Sequence, residues 1–116
     1  MVTVREGIFE GKRIETRYDI ENEEITEKET HIRIILRKIG KCQYSVKQIN
    51  LEKEEILELL CFNTKEGLLV SSSLGGIDHF YIRDCLTIDH YWSIPETSSG
   101  FIINAFTTLD FIDRIE

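Results

Sequence analysis

No stretch of this chain approaches the ~20 consecutive apolar residues that a helix needs to cross a bilayer, and residues 1–11 lack the apolar core of a secretory signal. Together these absences point to a cytoplasmic protein. No C-x-x-C pair is present, and Cys42, Cys61 and Cys85 stand far apart among apolar or β-type residues. That spacing argues against a structural zinc site and a disulfide framework, and leaves buried free thiols as the expectation. Neither a G-x-S-x-G turn nor a glycine-rich phosphate loop occurs. Alanine is reduced to Ala105 while isoleucine is abundant, a bias that raises β content because branched side chains pack well on pleated surfaces.

The most telling absence is of one charge sign. Residues 31–50 contain no acid, yet they hold five bases: Arg33, Arg37, Lys38, Lys41 and Lys47. The whole chain has 21 acids and 14 Lys or Arg, so the remainder carries a net charge near −12 and the protein −7. A basic hairpin is thus embedded in an acidic body. Such a body repels nucleic acid over most approaches and attracts cationic partners. The bland alternative is that the five bases pair internally with neighbouring acids, at small energetic value.

What is present fits one globular domain spanning residues 1–116, with the weakest pattern over 1–30. Hydrophobic content of 41% is too high for a disordered chain. Residues 13–20 read as a strand, and 19–29 as a solvated acidic loop. Residues 31–39 and 42–49 form a hairpin around Gly40-Lys41, with Arg37 facing Tyr44 and Ile35 facing Val46. Asn50 is a good N-cap for a helix through about residue 63, supported by Glu52, Glu54 and Glu55 near its positive end and by the spacing of Ile56, Leu59, Leu60 and Asn63. A second hairpin flanks Gly75-Gly76, residues 86–94 alternate as a strand, and Thr107 or Thr108 caps a short helix to Ile115. The expected class is therefore α+β: a mainly antiparallel sheet of five to seven strands with one long central helix and a short C-terminal helix.

Two strands echo each other. Ile77-Asp78-His79-Phe80-Tyr81 and Ile88-Asp89-His90-Tyr91-Trp92 share an I-D-H-aromatic-aromatic pattern. A three-residue loop would set Asp78 opposite His90 and His79 opposite Asp89; a slip of one would pair the two histidines. The first arrangement suits general-base chemistry and the second a shared metal. The bland reading, two aromatic-rich strands with a satisfied His90 and solvated aspartates, needs neither. Ser72 near His79 completes a triad on paper, but no oxyanion-hole turn accompanies it. We expect no enzyme, no cofactor and no metal site.

The function that best fits these features is stoichiometric binding of a basic protein. Small, acidic, isoleucine-rich bacterial proteins of this size suit the class of immunity proteins that neutralise a nuclease toxin, as in contact-dependent inhibition. The expected contacts are Asp19, Glu21, Glu23, Glu24, Glu27 and Glu29, then Glu52, Glu55 and Glu58. The alternatives are a small metal-binding protein or hydrolase built on Asp78, His79, Asp89 and His90, and an assembly or adaptor subunit, for which unpaired strand edges make a homodimer plausible.

Overall fold

A computed structural model describes residues 5–63, 68–73, 76–84, 86–94 and 100–115. All regular structure among them is β. Eight strands follow in order: β1 (Gly7–Asp19), β2 (Glu24–Lys38), β3 (Gln43–Asn50), β4 (Glu55–Asn63), β5 (Leu68–Ser73), β6 (Gly76–Asp84), β7 (Thr87–Ile94) and β8 (Phe101–Asp113). Each pairs antiparallel with the next, and β8 returns to β1 to close a meandering barrel. Eight strands leave an interior that side chains can fill. Among the described residues no helix is long and apolar enough to cross a membrane.

Period-2 alternation builds the wall. On β2, Thr30, Ile32, Ile34 and Leu36 are buried, while Arg33, Ile35 and Arg37 lie on the outside. Tyr44 and Val46 from β3, Leu59 and Cys61 from β4, Phe80 and Ile82 from β6, Ile88 from β7 and Leu109 from β8 complete one apolar core with Phe9. Phe111 caps it, edge-on to Phe9 at 5.5 Å.

The expected α+β class is thus corrected to all-β, and both predicted helices are absent. Over 50–63 the cap is real but the helix is not. Asn50 Oδ1 accepts the Glu52 and Lys53 amides at 3.0 and 3.2 Å, the bonds an N-cap makes. Glu54 then adopts φ 55°, which takes the chain out of the right-handed region, and β4 begins at Glu55. Ile56, Leu60 and Phe62 point outward and Leu59 and Cys61 inward, so apolar residues on both faces satisfied a helical spacing as readily as a strand's. The C-terminal segment is one continuous strand. Ile103, Ala105, Thr107 and Leu109 alternate inward, and the small, partly polar members of that series hide its period.

The acidic segment 19–29 is also not a loop. Asp19 Oδ1 accepts the Glu21 and Asn22 amides, its Oδ2 accepts Asn22 Nδ2 at 2.8 Å, and β2 starts at Glu24. Those bonds, led by the Asn22 side chain, hold the Asp19 carboxyl below its ordinary range. The 31–49 hairpin forms one residue out of the expected register: Leu36 opposes Val46 and Arg37 opposes Ser45. A one-residue slip exchanges the faces of a strand. The observed register places Ile32, Ile34, Leu36, Tyr44 and Val46 inside together, which the expected one would not. The turn closes through the Ile39 and Gly40 amides on the Gln43 carbonyl, without a positive φ at Gly40. The Gly75 turn and Cys85 lie outside the described residues; Cys61 is a buried free thiol as expected, whereas Cys42 is exposed.

A left-handed conformation costs a residue with a Cβ roughly 1–2 kcal/mol, of which glycine recovers part against its greater freedom in the unfolded chain. Glu54→Gly is accordingly expected to stabilise the fold by up to about 1 kcal/mol, read as a higher urea midpoint. A lower midpoint would show that the Glu54 side chain contributes more than its backbone strain costs.

Candidate functional site

The barrel is stepped at one end. Pairing of β2 with β3 begins only at Ile32↔Asn50, whereas β2 pairs with β1 from Glu24 onward. Residues 24–31 therefore overshoot β3, and among the described residues their second edge has no strand beside it. The turn between β3 and β4 fills the corner of the step, with the Leu51 amide on the His31 carbonyl at 3.0 Å. On the other side, the Ile20 amide bonds the Gly100 carbonyl and fixes the tip of the β1–β2 hairpin to the start of β8.

This geometry brings together two acidic segments distant in sequence. Asp19, Glu21, Glu23 and Glu24 occupy the hairpin tip, Glu27 and Glu29 follow on the outer face of β2, and Glu52 and Glu55 flank the adjoining turn. Residues 14–30 and 51–55 together hold ten carboxylates against three Lys or Arg. Glu58 stands apart, on the outer face of β4 opposite Lys47. Two of the acids have a basic side chain close by: Lys12 Nζ lies 3.5 Å from Glu29, and His31 Nδ1 3.8 Å from Glu52. Both pairs are solvent-exposed and contribute little.

The five-base hairpin does not neutralise this end. Arg33 bonds Glu10 Oε2 at 3.1 Å, a carboxylate outside the acidic end. Arg37, Lys38 and Lys41 sit at the opposite end of the barrel, where β2 turns into β3. The molecule is therefore electrically polarised along its long axis.

The Asp–His strands adopt neither expected register. Asp78 opposes Trp92, His79 opposes Tyr91, Phe80 opposes His90 and Tyr81 opposes Asp89. The turn closes at Asp84↔Thr87, further along the chain than expected, and an irregularity between Ile82 and Asp84 then shifts the rest of the pairing by one residue. His90 is buried inside the barrel, with its ring stacked on Phe80 at 4.2 Å. His79 and Asp89 lie on the outer face, so the two histidines are separated by the wall and cannot share an ion. Asp89 is engaged by Arg83, whose Nη2 donates to Oδ1 at 2.6 Å and Nε to Oδ2 at 3.1 Å, and by the Thr108 hydroxyl at 3.2 Å. The Asp89 bond, then its charge, raises the Arg83 pKa further. Ser72 opposes Ile77, and Val70 takes the place opposite His79. Among the described residues no cluster of His, Cys, Asp and Glu could hold a metal.

The structure divides the aromatics of this region between the two faces of the wall. Phe80 is inside, while Tyr81 and Tyr91 are half-exposed outside. Tyr91 meets Tyr81 edge-on at 5.4 Å and Phe106 at 4.8 Å, a cross-strand ladder of the kind that stabilises sheets. Beside it a shallow groove of about 540 Å³ runs over the outer face, with Ile14, Thr16, His79, Ser93 and Asn104 among its walls. The signal for this division was strict alternation along β6 and β7.

Comparison with family models, with curated proteins and with solved structures found no match for this chain.

Proposed function

We propose that this protein binds a basic protein stoichiometrically, as a cytoplasmic immunity protein does when it neutralises a nuclease-type toxin. The observation that supports the reading is the convergence of the 19–29 and 52–55 carboxylates at one end of the barrel, opposite the end that carries Arg37, Lys38 and Lys41. A concentrated field of one sign accelerates encounter with a partner of the other and selects against like-charged competitors. The same field disfavours nucleic acid as the ligand. The absence of motif chemistry in the chain is natural for an inhibitor that works by occupying a surface.

The experiment is affinity capture from the source cell with the intact protein and with the triple variant Glu24→Lys/Glu27→Lys/Glu52→Lys. All three positions are exposed, so the fold should survive. The expected result is a basic partner retained one-to-one at low salt. It should be released as ionic strength approaches about 1 M, where the screening length falls to roughly 3 Å, and be bound on the order of 100-fold more weakly by the variant. A partner held equally by the variant and at high salt would overturn the reading.

A further inference from the structure

Resting on the reading of a cationic partner, we propose that the groove on the outer face of β1, β8 and β7 seats an arginine of that partner on exposed aromatic rings, while a second arginine engages Glu27 and Glu29. The strand register carries the argument. Directly opposed residues share a face of the sheet. One outer row runs Glu29, Ile14, Phe106, Tyr91 and His79 across β2, β1, β8, β7 and β6. The row beside it, two residues along each strand, runs Glu27, Thr16, Asn104 and Ser93. All of these except the two glutamates line the groove of about 540 Å³. The groove thus continues directly onto two carboxylates of the acidic end.

The rings are open to solvent. Tyr91 is 45% exposed and Phe106 36%, and Tyr81 extends their apolar surface along the same face. A cation within about 6 Å of such a ring's centroid is attracted by its quadrupole. Arginine suits the place better than lysine, because its planar, weakly hydrated guanidinium stacks on a ring while its edge N–H groups donate to oxygens nearby. Asn104, Ser93 and Thr16 supply such oxygens along the groove. The chain makes the same contact within itself elsewhere, with Arg5 4.1 Å over Phe111 and Arg17 5.3 Å over Phe101.

Charge identifies the occupant. Among the described residues no salt bridge reaches Glu27, and the Lys12–Glu29 pair is exposed on both sides and weak. The chain's own cations near the groove, Lys12 and Arg83, are directed at Glu29 and Asp89 and leave Tyr91 and Phe106 uncovered. A nucleic acid would be repelled by the same carboxylates on approach. Strand geometry also sets the spacing of the two arginines. Glu29 and Tyr91 lie three strands apart, about 14 Å at roughly 4.8 Å per strand, and four residues of extended chain cover that distance at roughly 3.4 Å each. The fitting segment therefore carries arginine at positions i and i+4.

The test titrates the full chain with an acetylated, amidated pentapeptide, arginine at both ends and glycine–serine–glycine between, followed by NMR. The proposal expects the resonances of Tyr91, Phe106 and Asn104 to shift, and the arginine side-chain protons to move upfield under the ring currents. The same peptide with citrulline at both ends, isosteric but neutral, should bind at least about ten-fold more weakly. Tyr91→Leu/Phe106→Leu keeps apolar cover and removes the rings, and should weaken the arginine peptide about ten-fold in a protein whose dispersed spectrum shows it folded. Glu27→Gln/Glu29→Gln should weaken it several-fold and reduce its sensitivity to salt. Equal binding of the citrulline peptide, equal binding by the variant without rings, or no peptide binding at millimolar concentration would overturn the proposal. Shifts confined to 19–29 and 51–55 would overturn the groove while leaving the acidic-end reading intact. Seating of the peptide on the rings without capture of any basic partner would sink that reading and leave the groove standing. Groove resonances that move with protein concentration in the absence of peptide would overturn the proposal in favour of a second copy, seated through its Arg37, Lys38 and Lys41 end.

Discussion

Gly11→Val is expected to lower the unfolding free energy by about 3 kcal/mol or more, seen as a marked fall in the urea midpoint at unchanged slope. Gly11 lies where β1 is hemmed in on both sides, opposite Ile32 on β2 and Leu109 on β8. A Cβ built there would fall on the Thr108 carbonyl oxygen, with the carbonyl carbon at 2.8 Å and the Leu109 Cα at 3.2 Å. Main-chain atoms have no rotamer to escape into, so β8 itself must move. Ordinary overpacking costs roughly 1–3 kcal/mol, and a collision with backbone belongs at the top of that range. Gly11→Ala should fall in the same direction by less. Gly40→Ala is the internal control, since its nearest neighbour at 3.0 Å is the end of the flexible Gln43 side chain. The consequence extends to function. The pairing that Gly11 permits runs as far as Asp19↔Phe101, and it supports the hairpin tip that carries half of the acidic end. Partner capture should therefore decline in step with stability. A midpoint for Gly11→Val equal to that of the unaltered protein would show that β1 and β8 do not approach as closely as the barrel requires.

Local patterns were legible in the sequence where one face of a strand is apolar and the other is not. Residues 86–94 and the 31–50 hairpin could be read as strands for this reason, whereas Asn50, read as the cap of a helix, organises only the turn that follows it. What was not legible is what distant residues decide. Whether Asn50 starts a helix or a single turn depends on Glu54, which takes an unfavourable φ because Ile49 and Ile56 must meet across the β3–β4 hairpin. Ala105 and Thr107 look like poor core residues until they are seen to lie opposite the large side chains of Trp92 and His90. The register of β6 on β7 turns on one irregular position near Arg83 that no residue type announces. The acidic end shows both sides of this limit. Its charge was visible as composition, but the meeting of segments 19–29 and 52–55 follows from β2 outrunning β3, a fact about pairing and not about any local sequence.

The largest side-chain effect should come from Phe80→Ala, at about 3–5 kcal/mol, with Tyr81→Ala next to it costing under about 1 kcal/mol. Phe80 is 0% exposed and stacks on His90 with the rings 3° from parallel; its removal leaves a void that a closed wall cannot collapse to fill. Tyr81 is 44% exposed, and its edge contacts with Tyr91 and His79 lie on the water side of the sheet. Two consecutive aromatics thus differ several-fold in energetic weight solely because strand side chains alternate across the wall. Thermal or urea unfolding of both variants measures the difference directly. The comparison also bears on the Asp–His echo, since Phe80 and His90 share a face and His79 and Asp89 share the other. Equal losses from the two variants, or a larger loss from Tyr81→Ala, would place His79 inside and His90 outside. The bonds from Arg83 and Thr108 to Asp89 would then have to be reassigned to the barrel interior, where the arginine–carboxylate pair would carry a desolvation penalty that the exposed Arg83 side chain escapes.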